Sequence, residues 1–363
     1  MSHYEERLEA DLESLKRRVR EVGRKVLEAH RRSVHALLQG DRALAYETIL
    51  ADHAINREVL AIDAACHAFV ARHLPSAGHL RFVSAVLRLN VALERIGDYA
   101  VTVCREAVQL TAPPPTSFAA DIGLLAEQSR ALLEQALEAW NQGNAELARG
   151  TTGMAAQAAS LSDKVFADLL HEGEVGSRPL QDLFALLLIF NRLDRVVGQA
   201  KNLCEETLFA IAGETKAPKV YRVLFVDEGD DCTTQLAVGY ARKAFADSGH
   251  FASAGWKPAG AIDPRCRGFM EARGLSTTEL GPRSLAAVGE ELPSYHVVVS
   301  LAGDLRPHVE AVPFHTVVLE WDLGPELEGA GPELAEEVLA TRLQDLGVRI
   351  RQLMETLRGE EAL

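Results

Sequence analysis

Four carboxylates and a thiol crowd one short segment, VLFVDEGDDCTT at residues 223–234. Asp227, Glu228, Asp230, Asp231 and Cys232 follow an apolar run of strand type and precede QLAVGYARK, a stretch of helical pattern. A strand, a tight loop and a helix N-terminus make a frame suited to an oxyanion, because backbone N–H groups and the helix dipole converge there. Acids in that frame repel an anion and favour a cation or a basic surface. A thiolate at a helix start would be a nucleophile, yet Asp230 and Asp231 favour the neutral thiol. A second acidic group lies far upstream. Glu94 and Asp98, four residues apart, project from one helix face about one turn from each other, a like-charge pair that a hard cation would relieve. Carboxylates from several helices would offer the oxygen ligands that Mg²⁺, Mn²⁺ or iron accept, and Asp52 with the Asp63/His67 pair stand on the preceding helix.

The elements that must hold these groups follow two different periods. Up to residue 213 the apolar spacing is helical: Leu8, Leu12, Leu15, Val19, Val22 and Val26 recur at steps of four and three, the seam of a helix in a bundle. Turn signals at Gln39-Gly40-Asp41, Leu74-Pro75 and the Pro113-Pro114-Pro115 run end three helices. The pattern then restarts, with Gln142-Gly143-Asn144 and Gly176-Ser177-Arg178-Pro179 repeating the first two breaks. LRLNVALERIGDYAVTVCREAV, at 87–108, also lies over LLIFNRLDRVVGQAKNLCEETL, at 187–208. This predicts a tandem repeat of three-helix units over 1–112 and 116–213, packed side by side. From about residue 219 short Val-rich runs at 220–226, 295–301 and 315–319 alternate with helical segments, which predicts a parallel sheet covered by helices over 219–363. Residues 213–218 read as a linker.

Composition bounds the function. The net charge of −14 is shared, 23 Lys+Arg against 29 Asp+Glu in residues 1–215 and 15 against 23 in the remainder, which argues against nucleic acid as a partner. The one basic run, KRRVREVGRK at 16–25, reads as a solvated helix face. Five scattered cysteines without a Cys-x-x-Cys pair indicate reduced thiols. No apolar run approaches the roughly 20 residues of a membrane span, and the charged start carries no secretory signal, so a cytoplasmic protein is expected.

Residues 5–213, with Leu93-Glu94-Arg95-Ile96-Gly97-Asp98, resemble the PhoU family of phosphate-specific transport accessory proteins. That resemblance implies metal ligation on the acidic helix faces, by Glu94 and Asp98 in the first repeat and by Asp194, Asn202 and Glu205 in the second. There Gly198 replaces the second acid of the motif. A divalent metal or iron would be the cofactor. The implied partners are the ATPase of a phosphate ABC transporter and a sensor histidine kinase, with membrane association only through them and with homodimer formation.

Residues 220–357 resemble the low-molecular-weight tyrosine phosphatase and arsenate reductase family, whose strand ends in a Cys, five residues, Arg and Ser. Here Asp227 holds the nucleophile position, Thr233 that of the arginine and Thr234 that of the serine, across Glu228, Gly229, Asp230, Asp231 and Cys232. Ser253-Ala254-Gly255, Asp263-Pro264 and Glu320-Trp321-Asp322 extend the likeness, while Pro325 and Glu326 stand where an Asp-Pro general acid is expected. Without thiolate and guanidinium the loop loses its chemistry. The expectation is a regulator of phosphate uptake and phosphate-starvation signalling without enzymatic activity, a pseudophosphatase joined to a PhoU-like bundle. The alternatives are a phosphatase or arsenate reductase working through Cys232, or a metal-binding bundle.

Overall fold

The computed structural model describes residues 3–157, 161–176, 178–215, 219–313, 315–323 and 332–359. The chain divides into two compact units, Met1–Lys216 and Ala217–Leu363. Ser177, the end of the linker at residues 216–218, and Pro325 with Glu326 lie outside the described residues.

Unit one is helical. Helices α1 (His3–Gln39), α2 (Arg42–His73) and α3 (Ala77–Gln109) form the first repeat. The stripe from Leu8 to Val26 is buried along α1, each such side chain contributing on the order of 1.5–3 kcal/mol. Asp41 caps α2 by accepting the Leu44 N–H at 3.0 Å. The second repeat begins with α4 (Thr116–Gln142) and closes with α7 (Leu180–Ala212). Its middle part is described as α5 (Ala145–Gln157) and α6 (Leu161–Val175), on either side of residues 158–160, which lie outside the described residues. Helices α3 and α7 run against each other, and one continuous apolar core spans both repeats. Arg88 bridges them to Glu206 at 2.7 Å. The proline-rich connection is tied down too: the Thr111 hydroxyl donates to the buried Asp182 carboxylate at 2.6 Å, and Arg178 donates to the Pro113 carbonyl at 2.8 Å.

Unit two is a parallel sheet in the order β2-β1-β3-β4, with β1 (Tyr221–Asp227), β2 (Gly249–Gly255), β3 (Val297–Ser300) and β4 (Val317–Glu320). Both faces are covered, which is why β1 reads as an unbroken apolar run. Val223 and Phe225 point to one core with α8 (Thr233–Ala244), α9 (Pro264–Ala272) and α11 (Pro332–Arg358). Leu224 and Val226 point to the other, with the short α10 (Leu285–Val288). Ser253-Ala254-Gly255 forms the end of β2 and does not follow it. The chain steps from β1 to β2 on one side and crosses to β3 on the other, so the turn after β1 lies at the switch point where open α/β sheets place ligands.

Candidate functional site

Each of the four acids after β1 has a different fate. Asp227 ends the strand half-buried, and its Oδ1 accepts the Asp230 backbone N–H at 2.6 Å. The Thr234 backbone N–H, in the first turn of α8, also reaches this carboxylate. The amide nest that would cradle an oxyanion thus holds a carboxylate from its own rim. Burial, aided by the charges of Asp230 and Asp231, pushes the Asp227 pKa up to about 6.

Asp230 is wholly buried and adopts φ 50, a left-handed conformation that Asp tolerates better than most residues. One carboxylate oxygen accepts Thr234 Oγ1 and Gln235 Nε2, each at 2.8 Å. The other accepts the Arg283 backbone N–H at 2.7 Å. Gln235 donates onward to Ser253 Oγ at 3.1 Å, which brings β2 into the network. Asp230 therefore acts as the internal post of the loop, although burial still raises its pKa. Glu228 is exposed and pairs with Lys257 at 2.8 Å. Asp231 is half-buried, its pKa raised by burial, with the Asp263 charge nearby. Gly255 must be glycine: a Cβ there would stand 2.7 Å from the Glu228 carbonyl.

Cys232 precedes α8 and turns into the core. Its thiol lies against that of Cys266, whose Sγ also donates to the Cys232 carbonyl at 3.4 Å. Contact with the second thiol and burial raise its pKa far above the ordinary thiol value. It is a packed neutral sulfur, unlike an activated nucleophile. Thr233, in the arginine position, accepts a 2.7 Å hydrogen bond from the buried Arg342 of α11. A guanidinium therefore does stand beside the loop, supplied from another element. Neither Cys266 nor Arg342 was among the expected site residues, since both meet the loop only through tertiary packing.

In the helical unit the expected ligands do not converge. Glu94 is half-buried and Asp98 exposed. Asp194 is half-buried with its pKa raised by desolvation, Asn202 donates to Gln199 at 3.2 Å, and Glu205 faces Lys201 at 3.9 Å. Asp63 and His67 form a surface pair at 3.5 Å. The residue that does approach the motif is Asp52 of α2. Burial and then the Asp98 charge raise its pKa, its Oδ2 accepts Asn56 Nδ2 at 2.7 Å, and its buried Oδ1 has no hydrogen-bond partner among the described residues. Gly97 makes room for it, as a Cβ there would meet that oxygen at 3.0 Å. Among the described residues no three His, Cys, Asp or Glu side chains gather as a metal site. Two carboxylates alone do not supply the ligand set of a metal cluster.

A helical bundle joined to an α/β domain with a strand–loop–helix nest is the class that fold and site define. Residues 19–107 match the PhoU domain, and the N-terminal unit is PhoU-like. A phosphate-specific transport system accessory protein PhoU homolog of Pseudomonas putida is 26% identical over 217 residues, spanning 58% of this chain and 83% of that protein. The crystal structure of PhoU from Pseudomonas aeruginosa covers 57% of this chain and 99% of its own at 24% identity, with a TM-score of 0.54. For the C-terminal part, an arsenate reductase in the phosphate binding state covers 38% of this chain and 99% of its own, at 21% identity and a TM-score of 0.31. Among the described residues no helix is long and apolar enough to cross a membrane.

Proposed function

We propose that this chain is a regulatory accessory of phosphate uptake and of phosphate-starvation signalling, without catalytic turnover through its α/β domain. Its similarity to phosphate-specific transport accessory proteins supports the theme. The proposed partners are the ATPase of a phosphate ABC transporter and a sensor histidine kinase.

One observation carries the non-enzymatic part: the Asp227 carboxylate accepts the Asp230 N–H at 2.6 Å inside the nest. An incoming phosphate must displace an anion already bonded there, and it meets like charge as it does so. The nearest thiol, Cys232, is neutral and turned into the core.

Assays of the purified protein with p-nitrophenyl phosphate and with arsenate plus a dithiol reductant test this reading, beside Cys232→Ser and Asp227→Ala. No turnover above the buffer blank is expected. Turnover that disappears in either variant overturns it. For the regulatory part, tagged protein recovered from cells grown in high and low phosphate should retain the transporter ATPase, and failure to do so under both conditions removes that partner.

A further inference from the structure

The basic run at 16–25 is not a uniformly solvated face. Arg18 is engaged by Glu58 at 2.6 Å and Lys25 by Glu21 at 3.6 Å. Lys16 and Arg20, one turn apart on α1, stand over a cavity of about 240 Å³ in the helical unit. Arg20 makes no ion pair within 4 Å among the described residues, though the Glu13 charge reaches it, and Lys16 pairs with the exposed Glu13 at 2.7 Å while its ammonium stands 6.0 Å from the Phe82 ring centroid.

The walls come from both repeats. Phe82 of α3 stacks on the buried Trp140 of α4, with ring centroids 5.4 Å apart and planes inclined by 15°, and both rings line the cavity. Ala210 and Ile211 of α7 supply apolar side chains to the lining. Helix α4 ends here, and an exposed helix C-terminus would disfavour an anion. That end is capped: the Gly143 N–H reaches the Trp140 carbonyl at 3.2 Å and the Asn144 N–H reaches the Ala139 carbonyl at 2.9 Å. None of the nine described lining residues is acidic, in a chain whose net charge is −14.

We propose that this cavity binds a small organic anion built from a flat ring and a phosphate arm, of the nucleoside monophosphate class. The ring lies against the Phe82–Trp140 pair and the arm meets Lys16 and Arg20. Arginine pairs with a phosphate through parallel N–H bonds, and a base stacks favourably on an aromatic side chain. Neither half alone is bound well, because the ring lacks the charge and the bare ion lacks the wall.

Calorimetric titration of the full chain with AMP, adenosine and inorganic phosphate separates the contributions. AMP should bind saturably and at least tenfold more tightly than either fragment, with quenching of Trp140 fluorescence. Arg20→Ala, at an exposed and unpaired position, should weaken AMP at least fivefold with an unchanged melting temperature. Phe82→Leu should weaken AMP and adenosine together. Absence of AMP binding, phosphate or adenosine binding as tight as AMP, or an unaltered Arg20→Ala titration each overturns the proposal.

Discussion

The Asp227 carboxylate and the Asp230 backbone amide, 2.6 Å apart, close the loop after β1 upon itself. The charge that fills the nest is covalently part of the loop, so the two stand in the relation of an anion to its receptor.

This relation has a pH signature. The Asp227 pKa is raised from 3.8 to about 6, so its contribution to stability is full below 3.8 and is lost as pH rises through about 6. Asp227→Asn should therefore stabilise the protein by about 1 kcal/mol at neutral pH and have little effect near pH 4. Urea unfolding of both proteins at several pH values checks this. A variant that is destabilised at neutral pH contradicts it.

Removing the internal post is a different matter. Asp230→Ala leaves the Thr234 hydroxyl, the Gln235 amide and the Arg283 N–H without their acceptor, and a loss of roughly 3–4 kcal/mol is expected. Thermal unfolding gives the number, and a loss under 1 kcal/mol would show the network to be dispensable.

In the helical unit the acid sensitivity runs the other way. His30 is buried, with Nε2 3.0 Å from Ser129 Oγ and 3.4 Å from the Ala126 carbonyl. Burial lowers its pKa from 6.5 to about 4, so stability is complete above 6.5 and falls as pH drops towards 4. The loss amounts to roughly 3 kcal/mol. His30→Gln should flatten that dependence, whatever its effect on stability at neutral pH.

Asp52 carries a desolvated charge beside Asp98. Asp52→Asn keeps the shape and removes the repulsion, so a gain of about 0.5–1 kcal/mol at pH 7 is expected. Lost stability in this variant would instead indicate that the carboxylate answers a cation.

The thiols offer a direct chemical check. All five cysteines are buried and free, and Cys66 and Cys104 are pushed by burial up to about 12 and 11. An aromatic disulfide reagent should find no fast-reacting thiol in the folded protein and five after denaturation. Rapid modification of Cys232 would restore the case for a nucleophile.

The change of period near residue 219 carried most of the architecture, because apolar spacing reports directly which face of an element is buried. Strand, loop and helix around Asp227 were legible for the same reason. The separate fates of four neighbouring acids were not. Arg283 and Ser253, which hold Asp230, are distant in sequence, and so are Arg342 at Thr233 and Cys266 at Cys232. In the helical unit the i,i+4 spacing placed Glu94 and Asp98 on one helix face, and Asp52 was legible only as a further acid on the preceding helix. The Asp52 carboxylate reaches the neighbourhood of Asp98 from α2, through the gap left by Gly97.

The knot at the proline-rich connection has a mechanical corollary. Thr111 is pinned to Asp182 in the first turn of α7, and Pro113 to Arg178 just before that helix. Opening the bundle like a book along its α3–α7 spine would first have to strip a buried carboxylate of its clasp. Small slides of packed helices past one another, by contrast, leave that clasp in place.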